Sequence, residues 1–240
     1  MGHLKVNNIN ILATRRLESV KRVRLLSRYH PDEEEAEAVF KAILEHAGIK
    51  ELNISQNEIF RVNAETLAKA VNNMENVNLF NAKLTSQQSR VLFQHMANTT
   101  KLKVLSMGCV NISEVNPTIL ATALNMMATA RLCNTAITTE QLDALFRAMA
   151  RGSKLKEIDL GHNNLAGVDA NILAEGIKKI PTVKLYDTNM SRNQIEMIVR
   201  NATNQLITLD ICFNQSIREI PRHILTRAQA QIEEFSYLLH

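Results

Sequence analysis

The chain has 240 residues, 45% of them hydrophobic, which suffices for one large domain or a repeat array of similar size. Aromatic content of 4%, no Trp, 7 Gly and 4 Pro argue against an all-β sandwich, which needs frequent turns, and suit a helix-rich chain with a small-aliphatic core. The net charge of +4 is mild and both signs are interspersed, so no single-sign field points to nucleic acid.

Residues 1–19 carry Leu4, Val6, Ile9, Ile11, Leu12 and Leu17, and are expected to be an N-terminal cap or the stump of a preceding segment. A basic stretch follows and overlaps them: Arg15, Arg16, Lys21, Arg22, Arg24 and Arg28, opposed only by Glu18. The acidic run Asp32, Glu33, Glu34, Glu35, Glu37 comes at once afterwards, so the pair reads as a solvated face. No apolar run reaches the length of a membrane span, and no signal-peptide core is present. Cys109, Cys133 and Cys212 have irregular spacing, with neither a disulfide framework nor a metal pattern.

From residue 20 the chain repeats itself. The segment 59–68 aligns with 112–121 and 165–174, an offset of 53 residues each time. Segments 84–88, 137–141 and 190–194 repeat at the same offset, so two unlike units alternate. Each unit opens with LxxLxLxx(N/T)x(L/I), beginning at Val20, Ile49, Met74, Leu102, Met127, Leu155, Ile180 and Leu206. The central LxL alternates with period two and predicts a short strand. The remainder of each unit has helical spacing, as in Leu67, Ala70, Val71, Met74 or Leu142, Leu145, Phe146, Met149. Asn63, Asn116 and Asp169 stand at helix N-caps, with Pro117 at the first helical position. Thr85…Gln88, Thr138…Gln141 and Ser191…Gln194 are capping boxes.

One strand and one helix cannot bury an apolar face alone, but stacked units can. Helices are wider than the spacing of strands, so the stack bends with its strands inside. The predicted fold is therefore an α/β solenoid over residues 20–217, curved, with parallel strands on the concave side and helices on the convex side, in about eight repeats. Residues 218–240, with Ile220, Ile224, Leu225, Ile232, Phe235, Leu238 and Leu239, read as a C-terminal helical cap.

Over roughly residues 17–225 the chain resembles leucine-rich-repeat proteins of the ribonuclease-inhibitor-like class, which alternate two repeat types. Asn57, Asn163 and Asn214 match the asparagine of that motif, while Ala82, Thr135 and Thr188 fill the alternate position. Val110 departs from the pattern, and its turn is expected to lose a backbone-satisfying side chain. Segments 115–124, 136–149 and 168–177 also resemble the C-terminal repeat arrays of NOD-like receptors. That resemblance implies a sensing or regulatory array of innate-immune type. Alternatives on the same scaffold are a GTPase-activating repeat protein, for which the C-terminus lacks an acidic tail, and a bacterial effector.

No HExxH, CxxC, GxSxG or glycine-rich phosphate loop occurs, and the seven His share no ligand spacing, so neither an enzyme nor a cofactor is expected. The expected activity is binding of a protein partner on the concave face by a monomer, without nucleic acid or membrane insertion. The candidate partner-binding residues are Glu51, Asn53, Asn78, Phe80, Arg131, Asp159, Lys184, Tyr186 and Asp210. Phe80 and Tyr186 are aromatic groups on an exposed strand face, the usual interface anchors. The charges on the face are mixed. Asn53, Asn98, Asn111, Asn189, Asn201 and Asn214 begin glycosylation sequons, yet Asn214 is a motif asparagine expected to be buried, which favours a cytoplasmic setting.

Overall fold

A computed structural model describes residues 2–6, 20–25, 32–98 and 101–238. Arg15, Arg16 and Arg28 of the basic stretch, and most of residues 1–19, lie outside the described residues. The chain divides into two compact units, Met1–Val115 and Asn116–His240.

In the first unit β1 (Gly2–Val6), β2 (Val20–Leu25), β3 (Glu51–Asn53), β4 (Asn76–Asn78) and β5 (Val104–Ser106) lie side by side, all parallel. The helices α1 (Glu33–Glu45), α2 (Ala64–Asn72) and α3 (Ser86–Asn98) connect them and pack against one another in that order. The second unit repeats this with β6 (Thr129–Arg131), β7 (Glu157–Asp159), β8 (Thr182–Lys184), β9 (Thr208–Asp210) and β10 (Glu234–Ser236). Its helices are α4 (Pro117–Asn125), α5 (Thr139–Arg151), α6 (Ala170–Ile177), α7 (Arg192–Arg200) and α8 (Arg222–Gln231).

The register is the expected one. Glu51 lies opposite Arg22 and Asn76, and Glu157 opposite Thr129 and Thr182, so equivalent motif positions form straight columns. The first, fourth and sixth positions of all eight motifs are buried, from Val20, Val23 and Leu25 to Leu206, Leu209 and Ile211. At about 25 cal/mol per Å² of apolar surface, the aliphatic stripe so buried within each unit is a large stabilising term.

The helix starts also follow the sequence. Asn63, Asn116 and Asp169 each accept two backbone N–H groups, and Thr138 and Ser191 form reciprocal capping boxes with Gln141 and Gln194. The glutamines have a second role. Gln194, with its Oε1 accepting the Ser191 N–H at 2.7 Å, donates from its buried Nε2 to the carbonyls of Leu165 and Val168, both at 2.7 Å. Gln88 does the same for Ile59 and Val62, at 2.8 and 2.7 Å. One side chain thus caps its own helix and satisfies two carbonyls of the preceding repeat.

The motif asparagines are likewise shared between repeats. Asn163 is buried; its Oδ1 accepts the Thr135 N–H at 2.9 Å, and its Nδ2 donates to the carbonyls of Leu132 and Leu160 at 2.8 and 2.9 Å. Asn214 takes the N–H groups of Thr188 and Met190 and donates to Leu185 and Ile211. Thr135 and Thr188 complete each pair by donating their hydroxyls to Leu132 and Leu185. Asn214 is fully buried, so this sequon cannot carry a glycan in the folded chain.

Val110 does not disrupt its turn. Its neighbour across the repeat is Ala82, both are buried, and their N–H groups bond to Leu79 and Met107 within their own turns. With threonine and asparagine replaced together, no polar side chain is left without a partner. The residue before each motif position is left-handed: Gln56, Asn81, Cys109, Asn134, His162, Asp187 and Phe213.

Residues 218–240 hold more than a helical cover. After α8, Ile232 is buried at the first motif position and β10 pairs with β9, Phe235 opposite Leu209. The strand begins a further repeat whose core positions, Phe235 and Tyr237, stay half-exposed and stack with centroids 5.0 Å apart.

On the first unit, Glu75 sits between two lysines of neighbouring repeats, 2.8 Å from Lys50 and 2.7 Å from Lys103. Their hydrogen bonds hold its carboxyl down at about 2. A depressed carboxyl stabilises the fold above its unfolded value and loses that contribution as pH falls toward the folded one. The melting temperature of the wild type is expected to fall more steeply than that of Glu75→Gln as the pH is lowered from about 4.5 to about 2. Parallel profiles would show that the lysines do not act on the carboxylate.

Candidate interaction face

In each unit the outward positions of the strands and of the residues just after them carry the candidate residues of the sequence. In the first unit Arg22 and Glu51 pair at 2.6 Å across β2 and β3. Asn53 and Asn78 are half-buried, and each spends Oδ1 on a backbone N–H two residues on: Ser55 at 3.0 Å and Phe80 at 2.9 Å. Phe80 is half-exposed at the end of β4.

The second unit has the denser arrangement. Arg131 grips Glu157 with two hydrogen bonds, 2.8 and 2.9 Å, and Lys184 stands 3.9 Å from the same carboxylate. The hydrogen bond to Glu157 is the main reason why the Arg131 pKa is raised. Asp159 is only 8% exposed, and its Oδ1 takes the Gly161 N–H at 3.0 Å. Burial pushes its carboxyl above the ordinary range, against that hydrogen bond and the nearby Lys184. Asp159 therefore shapes the turn more than it presents a charge. Asp210 repeats the turn with the Cys212 N–H at 3.0 Å but is less buried.

Tyr186 is the best-defined group on the face. A Cβ added to Gly161 would lie 2.2 Å from its Cζ, so the ring rests directly on the glycine backbone. His162 meets it edge-on with centroids 5.0 Å apart, and its hydroxyl bonds to Cys133. Burial, with the charge of Asp159 next, raises the phenol well above its usual value. The ring is held before any partner arrives, which lowers the entropy lost on binding.

Two residues that sequence reasoning passed over flank it. His162 and Asp187, both left-handed, are joined at 2.7 Å. Phe213 is 36% exposed and lines a cavity of about 660 Å³ with His162, Asp187, Gln215, Arg218 and Glu219. The signal was its position: of the seven equivalent left-handed residues, Phe213 alone is large and apolar. Among the described residues, no group of three His, Cys, Asp or Glu could hold a metal, and no helix is long and apolar enough to cross a membrane.

Parallel strands alternating with helices from β2 on, with the motif asparagines bonded between repeats, leave one architecture. The fold is an α/β leucine-rich-repeat solenoid of about eight repeats. Solved structures agree. The leucine-rich-repeat-containing protein LegL7 from Legionella pneumophila matches with a TM-score of 0.57 and 15% identity, over 99% of this chain and 89% of that one. A chain of the yeast Rad7 and Elc1 complex matches at 0.65 and 15% identity, over 98% of this chain and 62% of its own length. The leucine-rich-repeat protein LIC12759 of Leptospira interrogans matches at 0.56 and 18%, over 99% and 60%. No family model and no curated protein matches the sequence. At these identities the likeness is one of fold.

Proposed function

We propose that the chain is a protein-recognition module without catalytic activity, which takes its partner on the strand face of the leucine-rich repeats. The observation that carries this reading is Tyr186: an aromatic ring fixed on Gly161, half-exposed, and bordered by His162 and an ion-pair network. Aromatic groups held in this way are typical centres of binding energy. Glu51, Asn53, Asn78 and Phe80 belong to the strand face of the first unit, and Arg131, Asp159, Lys184 and Asp210 to that of the second. Asn53, Asn78 and Asp159 serve it mainly by fixing the turns that bear Ser55, Phe80 and Gly161.

The alternation of two repeat types joined by Thr–Asn pairs supports a ribonuclease-inhibitor-like array, and with it a sensing or regulatory part of an intracellular receptor. The neighbour that comes from a structure of two proteins in complex is of the same fold, which suits a scaffold that holds other proteins.

Affinity capture from a cytosolic extract tests the reading with wild type, Tyr186→Ala and a control on the helices, Arg90→Ala. A protein held by wild type and control but lost from Tyr186→Ala, at unchanged melting temperature, places the contact on the strand face. Loss from the control alone would move the contact to the helices and overturn it.

A further inference from the structure

The charges on the strand face of the second unit are not evenly spread. Arg131 and Lys184 both lean on Glu157, toward β7. Beyond them, the outward positions of β8, β9 and β10 and the left-handed residues that follow bear Asp187, Asp210 and Glu234. Lys184 is the one Lys or Arg at those positions among the described residues; His162 pairs with Asp187 at 2.7 Å, and Arg218 lines the cavity beside Asp187 and Phe213. Asp210 takes the Cys212 N–H on Oδ1 at 3.0 Å and also accepts the Cys212 thiol, and Glu234 accepts the hydroxyl of Thr208 at 2.9 Å. Apolar groups border these carboxylates: the Tyr186 ring, Phe213 at 36% exposure and Leu238 at 70%.

Resting on the strand-face reading, we infer that this end of the face receives a basic segment of the partner protein, rich in Arg or Lys. The carboxylates meet the cationic heads, and the aromatic and aliphatic groups take the side-chain stems. The sign is local: the chain as a whole is +4, so an acidic stretch here is complementary to a basic ligand against the overall charge. Arg suits the site better than Lys, since a guanidinium can stack on a ring while it bonds to a carboxylate.

The test uses a fluorescein-labelled tetra-arginine peptide, a tetra-glutamate peptide, and fluorescence anisotropy at several salt concentrations. The variant Asp187→Asn/Asp210→Asn/Glu234→Gln keeps the acceptor oxygens of the Cys212 and Thr208 contacts and removes the charge. Glu114→Gln, on an exposed ion pair of the first unit, is the control. Wild type and control are expected to bind the arginine peptide, less at high salt, and the triple variant about tenfold more weakly. Equal binding by the triple variant, an equal loss in the control, no binding by wild type, or preference for tetra-glutamate would each overturn the inference. The two readings separate cleanly. A partner lost from Tyr186→Ala but kept by the triple variant leaves the strand face standing and removes the basic segment; the reverse pattern removes Tyr186 as anchor.

Discussion

Replacing Asn163 with Val is expected to destabilise the fold by about 3 kcal/mol, because it strands several buried groups at once. The Thr135 N–H loses its acceptor, and the carbonyls of Leu132 and Leu160 lose a donor. Against a total stability of about 5–15 kcal/mol, that is a large share. The second half of the prediction is sharper. Adding Thr135→Ala should recover about 1 kcal/mol instead of costing more, because the chain already contains that arrangement at Ala82 and Val110. There the Ala82 N–H turns to Leu79, a carbonyl whose counterpart Leu132 is occupied by the Thr135 hydroxyl. Urea unfolding of wild type, both single variants and the double variant closes the cycle. Additive effects would show that threonine and asparagine act independently.

Gly161→Ala should act on the interaction face as strongly as removal of the tyrosine. The added methyl would lie 2.2 Å from Tyr186 Cζ, so the ring must leave its seat. Overpacking of this kind costs about 1–3 kcal/mol, and the ring also loses its contact with His162 and its bond to Cys133. Partner retention should then drop to the level of Tyr186→Ala. Independently of any partner, the phenol should titrate nearer its ordinary value of 10.0 once burial is relieved. Phenolate absorbance reads this, with Tyr186→Phe identifying its share among the three tyrosines. An unchanged titration in Gly161→Ala would mean that the ring does not depend on the glycine.

The repeat register was readable from the chain alone because two independent periodicities agree: LxL at period two, and Leu67, Ala70, Val71, Met74 at helical spacing. The caps at Asn63, Asn116 and Asp169 then marked where one gives way to the other. What could not be read has physical reasons. The turn bonds of Asn53, Asn78 and Asp159 could not be read because a turn acceptor and a partner-facing group are both polar; only geometry shows the first use. Val110 looked like a loss because its compensation, Ala82, lies one repeat away. The strand β10 was hidden for a similar reason: Glu234, Phe235 and Ser236 show little alternation when nothing covers them. Phe213 stands partly outward because a left-handed turn can place a large apolar side chain toward solvent.

The Thr–Asn pairing has a consequence for how such a chain can grow. Thr135 needs the Asn163 of the following repeat, and Thr188 needs Asn214. Duplication or deletion of a single repeat would bring two threonine-type or two asparagine-type repeats together, and leave amide groups in the interior with the wrong complement. Lengthening in steps of two repeats, the 53-residue unit, keeps every pair intact. An engineer wishing to extend the array should copy that double unit as one piece.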